Sequence, residues 1–223
     1  MRKDIAVIFD FNGTCIFDGK YHNAAWKAYC EELTMQKLSE ADVDAFIVGH
    51  TAKEILEHFV GYELSDSMVQ QFSEEKERIY RNLIAKENLE LAPGLETFLN
   101  FLLLAGIPRA IASVADLANM NMYFERYNLE RWFKWENVVI GAGNIPLKPH
   151  PDLYLAAIDK LGVAAENCLV FEDSLSGVEA AYVAGVSHII AVIGDSWRTE
   201  LEKKPGVYSM IHDFTELNPE NFA

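Results

Sequence analysis

The sequence predicts an α/β fold, a doubly wound parallel sheet into which an α-helical cap is inserted. Two observations carry this. Short, β-branched apolar runs recur along the chain with helical stretches between them, and one long segment, residues 18–88, contains no such run and reads as consecutive amphipathic helices. Apolar runs without in-and-out alternation mark strands buried on both faces of a parallel sheet. Strands alternating with helices call for right-handed crossovers, which places ligands at the carboxyl ends of the strands.

The first run is DIAVIFD, residues 4–10, followed at once by a turn through Asn12 and Gly13. The helical stretch then offers NAAWKAYCEEL, TAKEILEHFV and SDSMVQQFSEEKERIYRNLIAKE, each with apolar residues at three- and four-residue steps. Pro93 and Gly94 mark the return to α/β pattern, the proline being suited to open the helix LETFLNFLLLAG. Four more strands are expected, IPRAIAS at 107–113, NVVIG at 137–141, NCLVFED at 167–173 and SHIIAV at 187–192. The expected domains are therefore 1–17 with 89–223 as an α/β core, and 18–88 as a helical cap joined to it by two hinges. GAGN at 141–144 lacks the third glycine and the strand-to-helix context of a dinucleotide loop and reads as a turn.

Composition narrows the function. Half of the 223 residues are apolar, enough for a substantial core, and 19 Lys and Arg against 34 Asp and Glu give a net charge of −15. That charge repels a phosphate backbone and argues against nucleic acid as a partner. The apolar stretches are too short or too interrupted to span a bilayer, and MRKDIAVIFD reaches an acid too early for a signal peptide, so a cytoplasmic protein without a membrane partner is expected. Cys15, Cys30 and Cys168 lack metal or redox spacing and read as small core residues.

On this frame Asp10 ends the first strand, Ser113 the second, Lys148 follows the third in LKPHPD, and Glu172 and Asp173 end the fourth. Each has an ordinary reading alone: an Asp or Ser at a strand end caps a helix or turn, and a loop lysine is solvated. Together they form a set of complementary charges at one sheet edge. Asp10 and Asp173 with a third acid beside them make a hard-oxygen site suited to Mg²⁺. Ser113 and Lys148 suit phosphate oxygens, and the Asp10 carboxylate suits in-line attack on phosphorus to give an aspartyl-phosphate. The expected partner is a small phosphorylated metabolite.

The spaced set DFNGT, IAS, LKPHPDLY and VFEDSLSGVEAAYVAG closely resembles the haloacid dehalogenase superfamily from residue 4 to about 195, and the helical insert resembles the cap of its β-phosphoglucomutase and phosphatase branch. The resemblance implies Asp10 as nucleophile and Mg²⁺ ligand, the main-chain carbonyl of Asn12 and the Asp173 carboxylate as further ligands, Ser113 and Lys148 as phosphate contacts, and Glu172 as support for the metal. It implies leaving-group contacts from the cap, with His22, His50, Lys53 and Lys76 as candidates. YHNAAW at 21–26 is similar to the mutase's cap entrance, and Lys76 stands four residues before Tyr80 as in the mutase's substrate-contacting helix.

Two departures bear on activity. The family's phosphatases and mutases place a second Asp two residues after the nucleophile, where it exchanges a proton with the leaving oxygen; here that residue is Asn12. An amide cannot do this at neutral pH, a loss on the order of 10²–10⁴ in rate. After Ser113 the chain reads Val114, Ala115, Asp116, Leu117, where the mutase holds a second phosphate with a serine, a lysine and an asparagine. The sequence thus favours a hydrolase whose leaving group needs little protonation, such as an acyl phosphate or pyrophosphate, or one with another donor; His22 and Asp18 are near in sequence. A sugar phosphomutase, a catalytically weak phosphate-binding protein and a metal-free haloacid dehalogenase stand as alternatives.

Overall fold

A computed structural model describes residues 5–141, 145–194 and 200–218. Ala142–Asn144 of the GAGN run, and Asp4 of the first expected strand, lie outside the described residues. The chain divides into two compact units, Met1–Phe17 with Glu90–Ala223, and Asp18–Leu89.

The first unit is built on a parallel six-stranded sheet: β1 (Ala6–Phe9), β2 (Arg109–Ser113), β3 (Val138–Ile140), β4 (Cys168–Glu172), β5 (His188–Val192) and β6 (Val207–Ile211), in the order β3-β2-β1-β4-β5-β6. Its helices are α5 (Leu95–Leu104), α6 (Leu117–Tyr127), α7 (Asp152–Leu161) and α8 (Leu175–Val183), the labels α1 to α4 belonging to the second unit. Strand β1 is buried throughout because adjacent residues serve opposite faces. Ile8 joins Ala110, Ala112, Val170 and the apolar sides of α7 and α8. On the other face Phe9 stacks on Phe171 at 5.2 Å, with Phe98, Phe133 and Phe214 around it.

Five strands were expected and a sixth, β6, extends the sheet beyond β5. Its residues are mostly half-buried, Tyr208 is 73% exposed, and its pairing is interrupted between Ile189 and Ile190. An edge strand needs only one covered face, so its sequence carries no continuous apolar run.

The second unit contains α1 (Gly19–Thr34), α2 (Glu40–Phe46), α3 (Ala52–Val60) and α4 (Asp66–Ile84). Helix α2 was not anticipated; its seven residues are too few to show a period, but Ser39 and Asp42 close a reciprocal capping box at its start. Thr51 and Glu54 do the same for α3, and Ser65 caps α4. The apolar faces meet around Trp26, Tyr29, Cys30, Val43, Ile47, Ile55, Leu56 and Leu64. All three cysteines are buried free thiols. Among the described residues no helix is long and apolar enough to cross a membrane.

Candidate active site

Strand order reverses between β1 and β4, and a parallel sheet opens a crevice beyond its carboxyl edge where this occurs. The register sets the residues there. Phe9 pairs with Phe171, so Asp10 follows β1 level with Glu172 at the end of β4, and the Asp10 N–H donates to the Phe171 carbonyl at 2.9 Å. Asp173 comes next. The loop before α7 brings Lys148 to the same place.

Lys148 Nζ donates to Asp10 Oδ1 at 2.5 Å and to Glu172 Oε2 at 2.7 Å. Burial alone would lower the lysine's pKa, but the Asp10 and Glu172 carboxylates outweigh it and hold the ammonium above its ordinary value. For Glu172 burial opposes ionisation and the contact with Lys148 prevails, so its carboxyl titrates below the usual range.

Glu172 is hydrogen-bonded on both carboxylate oxygens. Oε1 accepts from the N–H groups of Asp173 and Ser174 and from the Ser174 hydroxyl, while Oε2 accepts from Lys148 and, at 2.6 Å, from the Tyr154 hydroxyl. It rests on the first turn of α8, where a Cβ on Gly177 would lie 2.0 Å from its carboxyl carbon. Only glycine fits, and the helix N-terminus favours the negative charge.

Asp10, Glu172 and Asp173 each present an oxygen within 4.8 Å of the others. Three carboxylates against one ammonium leave negative charge in excess, and an all-oxygen donor set fits a hard divalent cation such as Mg²⁺. Gly13, at φ +80°, turns the chain after Asp10, and a Cβ there would meet Asp173 Oδ2 at 2.3 Å. The turn is closed by Gly13 N–H to the Ile16 carbonyl at 2.8 Å.

Asn12 is half-buried, and its Nδ2 donates to the Tyr123 hydroxyl at 2.7 Å. Tyr123 is fully buried on α6 with its ring stacked on Phe11 at 4.7 Å. Ser113 ends the neighbouring strand, buried, its hydroxyl accepting the Ala115 N–H at 3.2 Å. Asp116, where the mutase pattern is lost, caps α6 by accepting the Asn119 N–H at 2.6 Å.

Two of the four expected contacts in the helical unit come together. His22 Nδ1 lies 2.9 Å from Lys76 Nζ, and His22 Nε2 lies 3.2 Å from Asp18 Oδ2. An ammonium has no acceptor, so Nδ1 must accept and Nε2 carries the proton toward Asp18, which makes the ring a neutral imidazole. Tyr80 stacks on His22 at 3.9 Å and donates to Asp18, while Lys76, only 3% exposed, also pairs with Glu77 at 2.6 Å. His50 and Lys53 are apart from this cluster: His50 is exposed with Nδ1 3.2 Å from the Val48 carbonyl, and Lys53 pairs with Glu57 at 3.7 Å along α3.

Sequence reasoning assigned no role to Tyr154, Tyr123 or Ser174. Tyr154 closes the quoted run LKPHPDLY, six residues after Lys148, but a buried helical tyrosine is indistinguishable from packing until its hydroxyl partner is known.

Residues 7–191 match the family described as haloacid dehalogenase-like hydrolase. The chain is 32% identical over 192 residues to a phosphorylated carbohydrates phosphatase of Thermotoga maritima, covering 84% of this chain and 85% of that protein. It is 29% identical to hexitol phosphatase A of Escherichia coli over 83% of this chain and 81% of that one. A crystal structure of a HAD hydrolase, family IA, variant 3, from Entamoeba histolytica superposes with a TM-score of 0.91 at 35% identity, covering 97% of this chain and 96% of the other.

Proposed function

Because this chain belongs to the haloacid dehalogenase-like hydrolase family and is an enzyme of that class, we propose that it is a Mg²⁺-dependent phosphatase acting on a small phosphorylated metabolite through an aspartyl-phosphate at Asp10. The observation that carries this reading is the cluster at the β1/β4 switch point, with Lys148 Nζ 2.5 Å from Asp10 Oδ1 and Asp173 beside them. The phosphatase names of two relatives support the substrate class.

Asp10 and Asp173 would hold the cation through carboxylates and Asn12 through its carbonyl. Bound there, Mg²⁺ would neutralise phosphate charge and orient the group for in-line attack. An Asp10 oxygen forms the new bond to phosphorus as the bond to the leaving oxygen breaks, and that oxygen departs as an anion. Water then releases phosphate and regenerates Asp10. Lys148 sets its ammonium against the nucleophile and would offer it to phosphate oxygens; Ser113 would contribute its hydroxyl.

Asn12 makes the leaving group decisive. Its amide donates to Tyr123 and exchanges no proton, so substrates whose leaving oxygen is already a stable anion are favoured. Sugar phosphate mutation, which needs the missing proton exchange, ranks below hydrolysis, and haloacid displacement has no use for the Glu172–Asp173 pair.

A screen of metabolite phosphates with and without Mg²⁺ tests the reading. Phosphate release that requires the metal and is fastest for acyl phosphates is expected. Halide release from haloacids without metal, with no phosphatase activity, would replace it.

A further inference from the structure

An ionised carboxylate offers about four lone-pair sites. Glu172 accepts five hydrogen bonds, three on Oε1 and two on Oε2, and is 1% exposed. Both Glu172 oxygens are thus engaged by protein donors.

Tyr154 supplies the contact that fixes this arrangement. It is fully buried at the start of α7, its hydroxyl lies 2.6 Å from Glu172 Oε2, and the same oxygen receives Lys148 at 2.7 Å. Lys148 Nζ also lies 4.8 Å from the centre of the Tyr154 ring. The tyrosine thus touches the lysine with its ring and the lysine's anchor with its hydroxyl. Gly177 closes the remaining side, with no room for Glu172 to withdraw onto α8.

We propose that Tyr154 is a positioning residue: its hydroxyl locks Glu172 as the seat of Lys148 and keeps both Glu172 oxygens out of a bound cation's ligand set, which then takes its carboxylates from Asp10 and Asp173. The inference rests on the hydrolase reading above and assigns a role to a residue which that reading leaves out. Glu172 becomes the anchor that holds Lys148 against Asp10, and phosphate affinity depends on Tyr154 through it.

Mn²⁺ is a suitable probe for the full-length protein. Its bound waters are counted by water-proton relaxation, its affinity is read from the free-ion resonance, and inorganic phosphate is titrated into the Mn²⁺ complex. Asp173→Asn should lose at least tenfold in Mn²⁺ affinity and add one metal-bound water, while Glu172→Gln should keep the wild-type water count. Tyr154→Phe keeps the ring and should weaken phosphate binding about fivefold. In a Glu172→Gln background the same substitution should change it less than twofold. An added water in Glu172→Gln overturns the inference, as does a Tyr154→Phe effect of equal size in both backgrounds. Either result would leave the hydrolase reading standing if Mg²⁺-dependent phosphate release is present; a wild-type chain that binds no Mn²⁺ would overturn both.

Discussion

Lys148 in the α/β unit and Lys76 in the helical unit both keep only 4% of their side chains exposed, yet their surroundings differ in charge. Lys148 stands among Asp10, Glu172 and Asp173, so negative charge is left over even after it is counted. Lys76 meets one carboxylate, Glu77, one neutral imidazole, His22, and the rings of Trp26 and Tyr80 at 5.0 and 5.8 Å. A surplus of carboxylates is what a divalent cation and a phosphoryl nucleophile require. The Lys76 group is nearer to balance, with Glu77 paired to the lysine and Asp18 on the far side of His22.

Replacing each lysine in turn should show the difference most clearly. Lys148→Met leaves Asp10 and Glu172 buried without their cation and should cost about 3–5 kcal/mol in urea unfolding. Lys76→Met leaves Glu77, 21% exposed, able to reach water, and should cost only about 1–2 kcal/mol. Equal losses would mean that the charge surplus has no energetic consequence. Gly177→Ala tests the seat of Glu172 directly. The new Cβ would approach the carboxylate to 2.0 Å, and about 2–4 kcal/mol of stability should go, with Lys148 loosened in the same step.

Asn12→Asp adds one more acid to the unit that already has a surplus and restores an exchangeable proton. Turnover of ordinary phosphomonoesters should rise at least tenfold, about 1.4 kcal/mol of barrier, with little change for acyl phosphates. An unchanged rate would mean that another group donates the proton. The smallest effect is on pH dependence. Glu172 titrates below its ordinary value of 4.5 in the folded chain, so its contribution to stability is complete above that pH and is lost as pH falls toward the folded value. Glu172→Gln should flatten this part of the acid unfolding curve; the same curve in both proteins would count against the ion pair.

The sheet was legible wherever it is covered on both faces, because strands β1 to β5 must be nearly continuous apolar runs. Strand β6, open at the edge, and α2, seven residues long, carry too little pattern to be seen. Site residues were legible at strand ends, where topology alone brings Asp10, Glu172 and Asp173 together. Tyr154 and Tyr123 were not, since each acts through a hydroxyl whose partner lies far off in sequence, Glu172 for one and Asn12 for the other. His22 and Lys76 were separate candidates in the sequence, and only the packing of α1 on α4 makes them a pair with Asp18.

On the reading proposed above, the charge surplus around Lys148 makes Asp10 a phosphoryl acceptor. Incubation of the protein with acetyl phosphate and Mg²⁺, followed by intact-mass and peptide analysis, tests it most directly. One added phosphoryl group is expected, located on Asp10, dependent on the metal and absent from Asp10→Asn. No adduct in the wild-type chain, or one that forms equally without metal or on another residue, would contradict it.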